Sequence, residues 1–248
     1  MACSRTYRTK AIVLDKTKLK ETDLILTLVG EDGRQIRAVA KGARKPGSRL
    51  AARCELCCEA DLLLAHGRTL DVVSQADLVA APLGPQPSYE LLTSASAVAE
   101  LAGKCTYEDV EDPFVFAITR AVLGRLPTLD SAHLDLIVAA YAFKLLSHIG
   151  YLPDCSACVA CEDEAPTFFC AQAGGLLCAS CAASVPGSEA LEPGEAAWLS
   201  SLVYVRFDEL IANPVDSLTA ARLLGFAHVW AATHLDCRLR SLEFMLGR

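Results

Sequence analysis

The spacing of hydrophobic and polar residues changes near residue 88. Before that point apolar and polar residues alternate in short runs, which is typical of β-strands with one buried face. The predicted strands are Thr6–Leu14, Asp23–Val29, Gln35–Lys41, Cys54–Leu64 and Leu70–Asp77. Turn sequences separate them, among them Glu31-Asp32-Gly33. Five short strands without a long helix predict a small β-barrel of the OB type over residues 1–80.

After a linker with three prolines, apolar residues recur every three or four positions, as on one face of an α-helix. The predicted helices are Ser88–Cys105, Asp112 to about Leu126, Ser131–Ile149, about Pro193–Ile211 and about Ser217–Leu235. The fold class is therefore predicted to be α+β. A helical domain is expected over residues 88–152 and 188–248, with a small insertion over residues 153–187.

Residues 34–53, called the cationic segment below, carry the most unusual charge pattern of the chain. They hold seven cations and no carboxylate: Arg34, Arg37, Lys41, Arg44, Lys45, Arg49 and Arg53. Strand alternation predicts one apolar face, formed by every second residue of 36–40. Arg37 and Lys41 are predicted to project from the opposite, solvated face.

Two interpretations of the cationic segment stay open on the residues alone. Lysines and arginines often line an exposed edge strand, where they prevent pairing with another sheet. Alternatively, the glycines and proline of residues 42–48 predict a flexible loop that carries Arg44 and Lys45 beyond the strand. A cationic loop beside a cationic strand face suits the phosphate backbone of a nucleic acid.

The net charge of −7 would by itself argue against a nucleic-acid partner. The charge is unevenly distributed, however: residues 1–80 contain 14 cationic and 10 anionic side chains, and the remaining chain contains 9 and 20. Salt screens exposed charges over a Debye length of about 10 Å, so acidic residues on a separate domain cannot cancel a local cationic patch. The distribution is therefore compatible with nucleic-acid binding by the barrel.

Three cysteines stand close together in the fourth predicted strand. The spacing Cys54-x-x-Cys57 could suggest a redox or metal site. Strand alternation argues against such a site, because it predicts that Cys54 and Cys58 share one face and that Cys57 lies on the other. We therefore expect Cys54 and Cys58 to pack in the core as small apolar residues.

A second group of cysteines lies in the insertion: Cys155, Cys158, Cys161, Cys170, Cys178 and Cys181. Two Cys-x-x-Cys pairs with a spacer of this length are typical of a zinc ribbon. The first pair could be Cys155/Cys158 or Cys158/Cys161, since the spacers before Cys178 are 19 and 16 residues. Four thiolates without histidine predict one structural zinc ion rather than a catalytic one. A cluster of thiols without a metal is the alternative.

The sequence shows no nucleotide-binding glycine-rich loop, carboxylate pair or nucleophile constellation, so we expect a protein that is not an enzyme and takes no nucleotide cofactor. The first residues lack the apolar core of a secretory signal, and the most apolar predicted helix contains Asp135 and Lys144. These features predict a cytoplasmic protein without a membrane partner. A thiol-redox enzyme would need an exposed cysteine of low pKa near cations.

The order of barrel, helices and inserted cysteines resembles the RecO family of bacterial recombination mediators over essentially the whole chain. The resemblance rests on Lys41-Gly42-Ala43-Arg44, on residues 143–153 and on residues 174–181. It implies binding of single- and double-stranded DNA, annealing of complementary strands, and cooperation with RecR to load RecA onto strands coated by single-strand-binding protein. It also implies a cytoplasmic, nucleoid-associated protein active in DNA damage repair.

The resemblance also assigns residues. It places DNA contacts on the barrel, for which the candidates are Arg34, Arg37, Lys41, Arg44, Lys45 and Arg49. In the family the first zinc cysteine follows a helix-ending proline by five residues, and this spacing implies Cys158, Cys161, Cys178 and Cys181 as the ligands. Glu162 departs from the glycine that often follows the first pair. The acidic tail of single-strand-binding protein is expected in the helical region, with Arg120 and Arg125 as candidate contacts.

The aromatic content of the barrel region predicts how it would bind DNA. Residues 1–80 contain no Phe or Trp and only one tyrosine, Tyr7. The stacking platform that many OB domains offer to unpaired bases is therefore largely missing, and we expect phosphate-dominated binding without sequence preference. A zinc-ribbon transcription regulator is the alternative function. It would require sequence-specific binding by a basic helix, and the Ala- and Leu-rich late helices do not carry such a face.

Overall fold

The computed structural model describes residues 5–247. The prediction that there is no secretory signal was made on the first residues of the chain, and these lie partly outside the described residues. The chain divides into two compact units: the first ends at Pro127, and the second begins at Thr128. The first contains a closed five-stranded barrel and two helices, and the second contains the remaining helices and the cysteine-rich insertion. The predicted α+β fold class is confirmed.

The barrel of the first unit has the strand order β1-β2-β3-β5-β4, and β4 pairs with β1 to close it. Its strands are β1 (Thr6–Leu19), β2 (Asp23–Gly30), β3 (Gln35–Ala40), β4 (Glu59–Ala65) and β5 (Asp71–Ala80). The pairing of β3 with β5 is parallel and short, while every other pairing is antiparallel. Since β3 has a partner on each side, it is not an exposed edge strand.

The barrel interior follows the predicted alternation. Leu26 and Leu28 of β2 are fully buried, as are Ala38 and Ala40 of β3, whereas Arg37 of β3 is exposed. Small alanines on the inward face of β3 leave room for the leucines that face them. The face that carries the cations therefore lies on the outside of the barrel.

The segment before β4 differs from the prediction. Residues Ala52–Cys54 form a 3-10 turn, and Cys57 has a left-handed backbone with φ of 62°. The alternation rule does not apply to this irregular path, and Cys57 is buried together with Cys54 and Cys58. The Cys57 sulfur lies 3.6 Å from the carbonyl oxygen of Ala95. The prediction that Cys57 lies opposite Cys54 and Cys58 on a strand was therefore wrong, whereas the predicted burial of those two is confirmed.

Two helices complete the first unit, α1 (Tyr89–Lys104) and α2 (Pro113–Leu123). Their N-caps are the predicted ones: Ser88 accepts from the backbone N–H of Leu91, and Asp112 accepts from that of Phe114. Both helices pack on β1 and β2. The turn between β2 and β3 approaches the second N-cap so closely that a Cβ on Gly33 would lie 1.8 Å from the Asp112 carbonyl oxygen.

The second unit begins with a long buried helix and continues through the insertion. Its elements are α3 (Ser131–His148), β6 (Phe168–Cys170), β7 (Gly175–Leu177), α4 (Ala179–Ala182), β8 (Glu189–Ala190), α5 (Glu195–Tyr204), α6 (Phe207–Ala212), α7 (Ser217–Leu235) and α8 (Arg240–Leu246). The helix predicted over 193–211 is two helices, because Val205 and Arg206 adopt extended backbone. The short helices α4 and α8 were not predicted.

An aromatic cluster holds the insertion against the helices of the second unit. Phe169 of β6 lies 5.8 Å from Trp230 of α7 and 6.3 Å from Phe143 of α3, measured between ring centroids. All three side chains are buried. The Trp230 indole N–H donates to the carbonyl oxygen of Tyr151 at 3.2 Å, so its polar atom has a partner in the core.

No helix in the described part of the chain combines the length and the hydropathy that a membrane span requires.

Candidate nucleic-acid interface and metal centre

The solvated face of β3 presents Arg37 and, just beyond the strand, Lys41. Both side chains are exposed, and within residues 5–247 neither has an ion-pair or hydrogen-bond partner. Because β3 is bonded to strands on both sides, these cations do not protect a free sheet edge, and the edge-strand interpretation loses its basis. Partnerless cations on a solvated strand face are available to an external anion.

The loop after β3 is tied at its base and exposed at its tip. The backbone N–H of Gly42 donates to the Asp23 carboxylate at 2.7 Å, and the backbone N–H of Arg44 donates to the Thr22 carbonyl oxygen at 2.9 Å. The bond from Gly42 lowers the pKa of Asp23, so the carboxylate stays ionised and holds the loop. Lys45 and Arg49 lie further along the loop with exposed, partnerless side chains within the described chain.

Three cations of the segment have partners within the protein. Arg34 donates from Nε to the Asp32 carboxylate at 2.8 Å and also lies 3.7 Å from Glu111. Arg44 donates to the Glu21 carbonyl oxygen at 2.9 Å, and Arg53 donates to the Arg49 carbonyl oxygen at 2.7 Å. The structure thus brings the six candidate DNA-binding residues to one strand and loop, but it neutralises Arg34 there.

A cleft of about 610 Å³ opens at the end of the barrel beside Arg37. Its lining includes two residues that sequence reasoning did not identify, His66 and Arg68, which belong to the loop between β4 and β5. The contact that would have pointed to them comes from the pairing of β1 with β4, which brings Tyr7 of β1 close to His66, the residue that follows β4. That pairing is not visible in a single sequence.

The two candidate arginines, Arg120 in α2 and Arg125 just after it, differ in their environment. Arg120 donates from Nε to the Glu59 carboxylate at 2.8 Å; its own side chain is 57% exposed, whereas that of Glu59 is only 4% exposed. Arg125 donates to the Ala121 carbonyl oxygen at 2.7 Å. Both arginines line a shallow groove of about 490 Å³ with Phe116. Arg120 therefore has a structural task in the barrel, because it compensates a buried carboxylate.

Four of the six cysteines in the insertion converge. The sulfur atoms of Cys158, Cys161, Cys178 and Cys181 all lie within 4.8 Å of one another. The distance between the sulfurs of Cys161 and Cys178 is 3.7 Å, close to the about 3.8 Å that tetrahedral ligands with metal–sulfur bonds of about 2.3 Å would give. The arrangement fits a tetrahedral thiolate metal site.

The local backbone explains this convergence. The first pair lies on a turn in which Glu162 has a left-handed backbone with φ of 63°, and the second pair spans the start of α4. Glycine adopts that conformation without strain, so Glu162 departs from the residue type that fits this turn best. A Cβ on Gly175 would lie 2.1 Å from the Asp154 carbonyl oxygen, so the hairpin before the second pair requires glycine.

The pKa values of these cysteines also favour binding of a cation. The Ser180 hydroxyl and the backbone N–H of Cys181 lower the pKa of Cys178 to about 6, while the neighbouring sulfurs of Cys178 and Cys161 raise the pKa of Cys181 to about 12. Four adjacent sulfurs cannot all ionise without a compensating charge. A divalent cation would supply that charge and accept all four as thiolates.

The other two cysteines of the insertion are placed differently. Cys155 is half-buried, and burial raises the pKa of its thiol to about 11. Its sulfur is not one of the four that converge. Cys170 is buried in β6, with its sulfur 3.9 Å from the Pro186 carbonyl oxygen. In this geometry the first pair is therefore Cys158/Cys161, rather than Cys155/Cys158.

Comparison with known proteins gives consistent matches along the chain. The family model described as "Recombination protein O N terminal" matches residues 1–82, and the one described as "Recombination protein O C terminal" matches residues 86–243. A protein named "DNA repair protein RecO" from Bifidobacterium adolescentis is 35% identical over 246 residues, which cover 96% of this chain and 98% of the relative. The protein of that name from a Nocardioides species is 31% identical over 96% of this chain and 98% of its own. A third, from a Roseiflexus species, is 38% identical over 72% of this chain and 63% of its own.

Proposed function

The chain belongs to the RecO family of DNA repair proteins, and on that premise we propose that it is a recombination mediator that grips DNA through the cationic segment. In this proposal it binds single- and double-stranded DNA without sequence preference and anneals complementary strands. With RecR it helps to load RecA onto strands coated by single-strand-binding protein. It acts without catalytic chemistry and without a nucleotide, in the cytoplasm at the nucleoid.

The observation that carries the proposal is the set of exposed cations that have no ion-pair or hydrogen-bond partner among residues 5–247, namely Arg37, Lys41, Lys45 and Arg49. Such side chains neutralise phosphates and release the counterions that surround DNA, and this contribution is independent of base sequence. A strand-annealing protein needs this property, because it must accept both complementary strands and the duplex that they form. Neutralised strands that are held close together can pair without ATP, since base pairing supplies the free energy.

We infer that the ion held by Cys158, Cys161, Cys178 and Cys181 is one structural zinc. Zinc is the common partner of four thiolates in tetrahedral geometry, and four protein ligands leave no open position for a reacting water molecule. When bound, the metal stabilises the turn of the first pair, the β6–β7 hairpin and the start of α4. These cysteines provide the thiolates, and the Ser180 hydroxyl helps to keep Cys178 ionised.

We also propose that the groove beside Arg120 and Arg125 receives the tail of single-strand-binding protein. The resemblance implies that this tail is acidic and ends in an aromatic residue. Phe116 and the alanines of α2 supply apolar surface, and the two guanidinium groups face an anionic peptide. Because Arg120 also compensates Glu59, the informative substitution is Arg125→Ala. A synthetic tail peptide should bind this variant at least about fivefold more weakly, as expected for a lost charged contact.

The direct test of the DNA-binding proposal measures affinity for two unrelated single strands and two unrelated duplexes over a range of salt concentrations. We expect similar affinities for the two single strands and a linear fall of log affinity with log salt. A strong preference for one duplex sequence would contradict the proposal and support the transcription regulator. Complementary strands should also anneal faster in the presence of the protein, and a pull-down with RecR tests the proposed partner.

A further inference from the structure

Two rings stack at the open end of the barrel. The imidazole of His66 lies parallel to the phenol of Tyr7, with centroids 4.7 Å apart and an interplanar angle of 25°. The Tyr7 hydroxyl donates to the Asp71 carboxylate at 2.5 Å, and burial together with that carboxylate raises the pKa of Tyr7, so the hydroxyl keeps its proton. Asp71 also accepts from the backbone N–H of Gly67 at 3.2 Å. The stack is therefore fixed at its inner end.

The outer ring of the stack is open to solvent. The His66 side chain is 53% exposed although Tyr7 covers one of its faces, so the other face is accessible. Both rings line the cleft of about 610 Å³ described above. A planar ring that is packed on one side and open on the other can extend the stack by one more planar group.

The charges around the cleft separate two kinds of ligand group. Glu31, Asp32, Glu108 and Asp109 are among the residues that line it, and their carboxylates would repel a phosphate. Arg37 and Arg68 also line it, and neither has an ion-pair or hydrogen-bond partner among residues 5–247. A neutral nucleobase can enter beside the carboxylates, while the phosphates on either side of it stay with the two arginines.

We propose that the Tyr7–His66 stack is a binding site for one unpaired nucleobase of a single strand. The inference rests on the proposed function, to which it adds a contact that the aromatic-poor sequence of the barrel did not suggest. The base stacks on the open face of His66, and the strand continues past Arg37 onto the cationic segment. Stacking accepts every base, so this contact keeps the binding independent of sequence.

The site distinguishes an unpaired strand from the interior of a duplex. Bases inside a duplex have both faces covered by their neighbours, whereas an unpaired base can turn one face to the protein. The cationic segment binds both forms of DNA, but the stack binds only the first. Pairing of the strand with its complement would therefore remove this contact and favour release of the annealed product.

The test uses a short single strand that carries 2-aminopurine, whose fluorescence reports stacking, at every second position. The full chain is compared with His66→Ala, with His66→Phe, which keeps a planar ring, and with Arg37→Ala. We expect binding of the parent to change the fluorescence at saturation, His66→Ala to abolish most of that change and His66→Phe to retain it. The affinity of His66→Ala for the single strand should fall about fivefold or more, with no change for a blunt duplex of the same length.

The outcomes separate this inference from the proposed function. If His66→Ala binds the single strand with the same affinity and the same fluorescence change as the parent, the stacking site is refuted. An equal loss on the single strand and the blunt duplex would also refute it, because the residue would then act through charge or folding. Arg37→Ala should lower the salt dependence and keep the fluorescence change at saturation. If that variant leaves the salt dependence unchanged, the phosphate-binding proposal fails, whatever His66 does.

Discussion

The cationic segment and the four-cysteine cluster are both short stretches dense in one kind of side chain, yet the protein uses them in opposite ways. Four cations of the segment point into solvent without partners in the described chain, although their backbone is fixed by β3 and by Asp23. The four sulfurs point toward one another and lie within 4.8 Å. One arrangement leaves its charges exposed to solvent, and the other brings its sulfur atoms together around a shared internal point.

This difference predicts whether a substitution at each site should change binding or the stability of the fold. An exposed cation without partners contributes little to folding, so its loss should affect only binding. A ligand of a structural metal contributes to folding, because the metal binds the folded protein and not the unfolded chain. The predictions below test this separation, beginning with the largest expected effect.

The substitution Cys178→Ser should produce the largest change. It removes one of four thiolates, so we expect loss of most of the bound zinc and a fall of roughly 10 °C in the midpoint of thermal unfolding. Binding of a single strand at a temperature where the variant is folded should be unchanged. Metal analysis, thermal unfolding and an affinity titration measure the three effects.

Cys155→Ser is the matched control for that substitution, because Cys155 lies in the same insertion and its sulfur is not one of the four. It should keep one zinc per chain and nearly the parental midpoint. Loss of zinc from the control, or retention of zinc with unchanged stability in Cys178→Ser, would contradict the assigned ligand set.

Arg120→Ala tests whether a cation outside the cationic segment serves folding. The substitution leaves the Glu59 carboxylate buried without a charged partner, and Glu59 Oε1 already has no hydrogen-bond partner in the described structure. We expect a loss of about 2–3 kcal/mol in the free energy of unfolding, below the usual range for a buried pair because Arg120 is itself partly exposed. Urea unfolding measures the loss, and the double substitution with Glu59→Gln should recover part of it. A loss below about 0.5 kcal/mol would show that the pair is not structural.

Arg37→Ala and Arg34→Ala test the separation within the cationic segment itself. Arg37 has no partner in the described chain, whereas Arg34 is paired with Asp32 and Glu111. Replacing Arg37 should lower the slope of log affinity against log salt by about 0.7 for single-stranded DNA, the value for one phosphate contact. Replacing Arg34 should lower it less, and both variants should unfold within about 0.5 kcal/mol of the parent. Equal slopes for the two variants would indicate that the ion pair of Arg34 opens on binding.

The smallest predicted effect concerns the anchor of the loop. The pKa of Asp23 is lowered by the backbone N–H of Gly42, so this bond contributes stability at pH values above the usual carboxyl pKa and loses it as the pH falls through the lowered value. Below about pH 4 the Gly42 amide of the parent should therefore exchange its proton faster than an extrapolation of its rates from higher pH predicts. Amide exchange followed by NMR in the parent and in Asp23→Asn measures the effect. If both proteins behave alike at every pH, the carboxylate does not hold the loop.

Much of the fold was predictable from local patterns. The helix Ser217–Leu235 has the predicted bounds, and the alternation in β3 correctly placed Arg37 on the outside. These cases depend on periodicity within one element, which a single sequence contains. The pair Cys178/Cys181 was visible for the same reason, since its spacing is local, whereas spacing alone left the first pair open between Cys155/Cys158 and Cys158/Cys161.

Features that depend on contacts between elements could not be predicted. Cys57 is buried because the chain leaves the strand path before β4 and passes beneath α1 near Ala95. The stack of Tyr7 on His66 depends on the pairing of β1 with β4, and the second, looser ion pair of Arg34 joins it to Glu111, which is distant along the chain. The break between α5 and α6 has no glycine or proline to mark it.

The measurement that tests the central claim most directly is the salt-dependent affinity of the triple variant Arg37→Gln, Lys41→Gln and Lys45→Gln for an unrelated single strand. If the exposed cations grip the phosphate backbone, the slope of log affinity against log salt should fall by about 2 relative to the parent, with the unfolding midpoint unchanged. An unchanged slope with parental affinity would contradict the account, because DNA would then be held by another part of the molecule.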